Sequence, residues 1–121
     1  MSEQVLSIMF YKLPSGKEPV REFLKGLSKS DRAKVGALLF KLQKEHKLSS
    51  PNAEYLGKQL WELRVIGENG KIRVMYCYFA KTNIILLHAF IKKSAKTPTQ
   101  ELELAMERKR YIKLLEDSHE R

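Results

Sequence analysis

The pattern of apolar and polar residues predicts a strand followed by two short helices. Residues 5–11 (VLSIMFY) are rich in β-branched and aromatic side chains, which is typical of a strand. Two segments then carry apolar residues at i, i+3, i+4 and i+7, the spacing of one helix face. These residues are Val20, Phe23, Leu24 and Leu27 in the first segment, and Val35, Leu38, Leu39 and Leu42 in the second. With Ser30 as its predicted cap, the second helix can pack on the first as a helical hairpin.

The second half of the chain reads as three strands and a final helix. Residues 47–57 have the composition of a loop, and strands are predicted at about 59–66, 71–80 and 83–92. The turns at 68–70 (ENG) and 81–83 (KTN) are short enough for antiparallel hairpins. Thr97 and Pro98 have the character of a helix start, so a helix is expected over about 98–116.

Together these elements predict an α+β fold in a single domain spanning residues 1–116, with a frayed tail at 117–121. The N-terminal strand and the helical hairpin are expected to pack on a mostly antiparallel four-stranded sheet, with a C-terminal helix added. The helices are expected on one face of that sheet, which leaves the other face open.

Charge narrows the possible partners. The chain has 121 residues and a formal net charge of +9, a field that attracts polyanions such as nucleic acid. No apolar run approaches the roughly 20 residues of a membrane helix, and no signal peptide is recognised. Cys77 is the one cysteine and is expected to be a buried, inert thiol. We therefore expect a cytoplasmic protein with no membrane partner.

The predicted open face carries the candidate chemistry. Alternation along the strands sends Trp61, Leu63 and Val65 toward the helices, and it sends Arg64 the other way. The same alternation places Arg73 on the open face of the next strand. Guanidinium groups bind phosphate through a bidentate fork and stay charged at any working pH.

Further candidates lie on or beside the last strand, whose facing is ambiguous because both of its rows are apolar. We expect His88, Phe90 and Lys92 to share the open face, although a shift of one residue would turn them inward. Phe90 could stack on a base, but core packing is an equal alternative. Lys92, Lys93 and Lys96 form a cationic cluster, and Lys71 begins the preceding strand run.

The arrangement favours RNA chemistry without a metal or another cofactor. No acid has metal-ligand spacing with a histidine, and no base stands in a pattern that would activate a Ser or Cys nucleophile. RNA can be cut by its own 2′-hydroxyl, leaving a 2′,3′-cyclic phosphate and a 5′-hydroxyl. The alternative interpretation of Arg64 and Arg73 is that they pair with Glu62 or other surface acids and have no function.

Several sequence blocks also resemble a known family. They are FYKLPSGKEPVREFL, LGKQLWELRV, KIRVMYCYF and IILLHAFIKKSAKTPTQELELAMERKR. Together they are similar to the RelE/ParE toxin superfamily of bacterial toxin–antitoxin systems, in its phage-derived HigB-like branch. The last block is the most specific, because an apolar strand, LHAFIKK and a KTP helix start follow one another in order.

The resemblance implies an mRNA interferase that cleaves translated mRNA on the ribosome until an antitoxin neutralises it. The implied catalytic residues are Arg64, Arg73 and Lys92 with Lys96. The expected RNA-binding residues are Lys71, Phe90, Lys93 and His88. Some relatives carry a catalytic tyrosine or several histidines near the last strand, whereas this chain has His88 there, so the general acid and base stay unassigned.

The resemblance also implies partners and rival functions. The expected partner is a helix-turn-helix antitoxin, and DNA is contacted only indirectly through that protein. A gyrase poison of the ParE type is a rival function on the same scaffold. A non-catalytic RNA-binding or ribosome-binding protein is a second rival, and a basic protein that merely binds an acidic partner is a third.

Overall fold

The computed structural model describes residues 4–93 and 98–119, with side chains described as far as residue 113. Eight elements follow one another along the chain. They are β1 (Ser7–Phe10), α1 (Pro19–Lys25), α2 (Lys29–Glu45), β2 (Ala53–Gly57), β3 (Leu60–Gly67), β4 (Gly70–Phe79), β5 (Asn83–Lys92) and α3 (Thr99–His119). The α+β class expected from the sequence is confirmed.

The sheet has five strands in the order β1-β5-β4-β3-β2. β1 runs parallel to β5, and the other neighbours are antiparallel. The predicted four-stranded sheet lacks β2, which lies in the segment assigned to a loop. β2 is a short edge strand that follows Pro51 and ends at Gly57, and its register with β3 is irregular between Tyr55 and Gly57. A strand of this kind leaves little periodic signal in the sequence.

α1 and α2 pack on one face of the sheet as the predicted hairpin. Val20, Val35 and Leu42 are fully buried there against Leu63 and Val74. The predicted cap Ser30 is wrong, because the cap is Ser28, whose Oγ accepts a hydrogen bond from the Asp31 amide at 3.1 Å. The helix therefore begins one residue before Ser30, which lies within its first turn.

α3 packs on the opposite face, so the prediction that all helices share one face is wrong. Ala105 of α3 is fully buried in a second apolar cluster. The sheet residues of that cluster include Met75, Cys77, Ile85 and Leu87. Because this row is apolar, it would stand exposed to water if the face were open. α3 also continues to His119, so the expected frayed tail is helical as far as that residue.

The turn between β3 and β4 is fixed to both of its neighbours. Asp31 of α2 is buried, and its carboxylate accepts a hydrogen bond from the Glu68 amide at 3.1 Å. Gly70 has a φ of +137°, and a Cβ there would lie 2.7 Å from Cγ2 of Ile91. This close approach requires glycine, and it holds the start of β4 against the end of β5.

Within residues 4–93 and 98–119, neither the length nor the hydropathy of any helix suffices to span a membrane.

Candidate nucleic-acid interface

A row of side chains crosses three strands at one level of the sheet. Arg64 of β3 lies directly opposite Arg73 of β4, and Arg73 lies directly opposite Phe90 of β5. Residues paired in this way point to the same face of a sheet. The prediction that both arginines share one face is therefore confirmed, and Phe90 joins them as expected.

Two further pairs flank this row on the same face. Lys71 pairs with Lys92 at the open end of the β4–β5 ladder, and Met75 pairs with His88 on the other side of the row. His88 and Lys92 thus share a face with the two arginines as predicted, but α3 packs on that face, which was expected to be open. Lys71 is exposed, Lys92 is partly exposed, and Lys93 is exposed just beyond β5. Lys96, also a predicted catalytic residue, lies outside the described residues.

The two arginines share a buried carboxylate. Glu62 precedes Arg64 by two positions on β3, so it shares the face, and it has no exposed surface. Its Oε1 accepts a hydrogen bond from Nε of Arg64 at 3.0 Å and lies 3.5 Å from Nε of Arg73. Glu54 of β2 lies 3.7 Å from Arg64 on the outer side. The pairing of both arginines with Glu62, which the sequence left open as an alternative, is therefore present.

Arg73 is buried rather than open to solvent, since only 7% of its surface is exposed. Burial lowers the pKa of its guanidinium, while neighbouring Glu62 raises this pKa and Arg64 lowers it. A guanidinium remains charged despite such shifts. Like charges directly opposite each other destabilise a sheet, and the Glu62 carboxylate offsets that repulsion.

The hydrogen bonding of Glu62 and Arg73 is incomplete within the described part of the chain. Oε2 of Glu62 and Nε of Arg73 are buried without a hydrogen-bond partner of good geometry there. Buried polar atoms normally find partners. Two buried polar atoms at this level of the sheet therefore lack a hydrogen-bond partner among the described residues.

His88 makes a contact that the sequence does not predict. Its Nε2 contacts Oε2 of Glu101 in α3, and its ring stacks on Phe90 with centroids 5.6 Å apart. Phe90 also packs against the second apolar cluster. His88 therefore connects β5 to α3, and Phe90 combines core packing with a place beside Arg73.

Two other kinds of chemistry find no support in the described residues. No group of three or more His, Cys, Asp or Glu side chains is placed there to hold a metal ion. The Cys77 thiol is buried, and burial raises its pKa to about 11. A thiol of this kind is a poor nucleophile, as its expected inert role requires.

Glu62 and Glu101 are the site residues that the sequence interpretation misses. That interpretation places Glu62 among surface acids, and Glu101 belongs to a helix that is not expected on this face. The alternation along β3 that places Arg64 on this face also places Glu62 there. The burial of Glu62 could have been inferred only from the two arginines close to it on the same face.

Comparison with known proteins gives one family. The model of the phage-derived Gp49-like proteins (DUF891) matches residues 22–110, which include every described residue of the candidate interface. A search of curated proteins found no match.

Proposed function

Because this chain belongs to the family of phage-derived Gp49-like proteins, we propose that it is the HigB-like toxin of a toxin–antitoxin pair and acts as an mRNA endoribonuclease without a metal. The observation that carries the proposal is the row formed by Arg64, Arg73 and Phe90, with Lys71 and Lys92 beside it. Such a row can bind one phosphodiester through cations from three strands. Phe90 supplies an aromatic edge for an adjacent base.

The proposed reaction begins with the RNA itself. The 2′-oxygen attacks the neighbouring phosphorus, the bond to the 5′-oxygen breaks, and the products are a 2′,3′-cyclic phosphate and a 5′-hydroxyl. Arg64 and Arg73 stabilise the negative charge that grows on the phosphoryl oxygens. The ammonium group of Lys92 donates a proton to the leaving 5′-oxygen, while the 2′-hydroxyl proton leaves to water.

The cations differ in how exposed they are, so their proposed roles differ. Arg64 exposes about a third of its side chain, at 32%, and is accessible to a phosphate from outside. Arg73 lies beneath the surface beside Glu62, so it acts on the phosphate mainly through its electrostatic field. This field is strong there because the buried surroundings contain little water and have a low dielectric constant. Lys71 and Lys93 guide the RNA backbone by their charge, and neither needs contact with the reacting atoms.

The proposed partners are mRNA on the ribosome and a helix-turn-helix antitoxin encoded by a neighbouring gene. Cleavage of mRNA in the cytoplasm would arrest translation, and the antitoxin would relieve this arrest. DNA would be contacted through the antitoxin.

The test is induction of the chain in cells, followed by mapping of RNA 5′ ends. Arg64→Ala and Lys92→Ala change accessible cations, and each is expected to slow cleavage by about 100-fold, since loss of one charge-stabilising donor has that effect. Lys41→Ala removes an exposed cation of α2 outside the row and serves as the matched control. Cleavage by both site variants at the control rate would reject the proposal.

A non-catalytic RNA-binding role is the second candidate, and the burial of Arg73 with Glu62 favours it. It predicts RNA binding with steep salt dependence and no new 5′ ends. DNA damage with intact mRNA would instead indicate a gyrase poison of the ParE type.

A further inference from the structure

A second cleft lies between α3 and the segment that follows β1, away from the row of arginines. This α3–β1 cleft has a volume of about 490 Å³, which is within the ordinary range for a site that holds a small ligand. The middle of α3 contributes Leu104, Arg108 and Tyr111 to one wall, and the segment after β1 contributes Tyr11 and Leu13 to the other.

The wall after β1 is held in place by its own backbone. The Leu13 amide donates to the Lys17 carbonyl at 2.8 Å, and the Gly16 amide donates to the Leu13 carbonyl at 2.8 Å. The Leu13 side chain also packs against the second apolar cluster. The wall is therefore formed before a ligand arrives, and a site of this kind loses little conformational entropy on binding.

Arg108 is fixed in the floor of the cleft. Its Nη1 donates to the Leu87 carbonyl at 2.8 Å, and its guanidinium carbon lies 5.3 Å from the centroid of the Tyr11 ring. Burial lowers the pKa of Arg108 and raises the pKa of Tyr11, but at neutral pH the first stays charged and the second stays neutral. A guanidinium has five N–H donors, so these contacts leave donors for a ligand in the cleft.

An aromatic ring and a second cation complete the site. Tyr111 is 39% exposed, and it is oriented edge-to-face with Tyr11 at a centroid distance of 6.3 Å. Arg110 is exposed at the rim, and the two arginines outweigh Glu107, the acid of the described lining. A ring beside two guanidiniums matches a base joined to a phosphate, whereas an acidic peptide would match the guanidiniums alone.

We propose that the α3–β1 cleft binds one nucleotide unit of single-stranded RNA, with the base on Tyr111 and the phosphate at Arg108 and Arg110. Tyr111 follows Glu101, which contacts His88 beside the candidate interface, by ten residues of helix, or about 15 Å. A few nucleotides of extended strand cover that distance, so the cleft would hold a base remote from the cleaved bond. That role in substrate binding rests on the proposed function, whereas the binding itself does not.

The experiment uses the full chain and fluorescence anisotropy, with two labelled oligonucleotides of equal length. One carries 2′-deoxyuridine and cannot be cleaved, because it lacks the attacking hydroxyl, and the other is abasic. Tyr111→Ala is expected to weaken binding of the uridine strand by about tenfold, the loss of one stacked base, and to leave binding of the abasic strand unchanged. Tyr111→Phe keeps the ring and should retain the affinity. Tyr55→Ala is the matched control, since Tyr55 is 51% exposed but does not line the cleft.

The phosphate contact is tested on the same two strands. Arg110→Gln is expected to weaken binding of both strands more than Lys113→Gln does, since Lys113 is an exposed cation of α3 that does not line the cleft. Circular dichroism of each variant checks that α3 remains folded.

Three results would overturn the inference. They are equal affinities of the Tyr111→Ala and Tyr55→Ala variants for the uridine strand, an equal loss for the abasic strand when Tyr111 is changed, and binding of uridine 5′-monophosphate as tight as that of the strand. The last result would assign the cleft to a free nucleotide. A chain that binds the strand through Tyr111 but cuts no RNA would refute the proposed function alone.

Discussion

Glu62→Gln is the most informative change in this protein, because it removes one charge from the centre of the arginine pair and preserves the shape of the side chain. Glu62 is fully buried, and it is the carboxylate beside Arg73, which is itself 7% exposed. Removal of one member of a buried ion pair leaves the other charge without compensation, which destabilises proteins by about 3–5 kcal/mol. Because Arg64 is partly exposed, it can turn toward water. We therefore expect Glu62→Gln to lower the free energy of unfolding by about 3 kcal/mol, at the lower end of this range.

For a domain of this length, 1 kcal/mol corresponds to a change of about 3–5 °C in Tm. The Glu62→Gln variant should therefore unfold about 10–15 °C below the wild type when followed by circular dichroism. Glu54→Gln is the matched control, since Glu54 lies 3.7 Å from Arg64 but is partly exposed. An exposed pair of this kind contributes at most about 1 kcal/mol.

The ion pair between Glu62 and Arg73 can also be tested as a unit. Arg73→Met alone leaves Glu62 buried without that partner and should be destabilising. The double variant Glu62→Leu with Arg73→Met replaces both charges by apolar groups and should lose much less stability than the two single changes together. Additive losses, or a Tm for Glu62→Gln equal to that of Glu54→Gln, would refute the argument that Glu62 compensates a buried arginine.

Three further predictions concern the scaffold. Gly70→Ala should lower the free energy of unfolding by about 1–3 kcal/mol in urea, because its φ is +137° and a Cβ would lie 2.7 Å from Ile91; an unchanged midpoint would contradict this. Burial raises the pKa of Cys77 to about 11 from 9.0, so at pH 8 the native thiol should react with iodoacetamide about 100-fold more slowly than the urea-unfolded thiol. Burial also raises the pKa values of Tyr76 and Tyr78 above the ordinary 10.0. The unfolded chain then loses these protons first, so the urea midpoint should fall as pH rises past about 10, and a midpoint that rises there would refute the assignment.

The sequence is most informative where structure depends on local periodicity. Alternation within a strand has a period of two, so the placement of Arg64 and Arg73 on one face follows from the residues around them. The hairpin turns are equally local, and the strands β3, β4 and β5 lie within one residue of their predicted ranges.

What the sequence leaves undetermined depends on contacts between distant elements. The burial of Glu62 requires two arginines and a neighbouring strand, and a charge pattern alone cannot distinguish that arrangement from a solvated face. The contact of His88 with Glu101 requires α3 to cross the sheet. Apolar residues on both rows of β5 are consistent with helices on both faces, but they cannot identify which helix packs on which face.

The parallel pairing of β1 with β5 has a consequence for synthesis of the protein. Ser7 aligns with Asn83, so β1 is the first strand to be synthesised but cannot pair with β5 until most of the chain has been translated. The same late strand supplies Phe90 and Lys92. A chain that ends before residue 83 therefore lacks β5, and with it the third strand of the candidate interface.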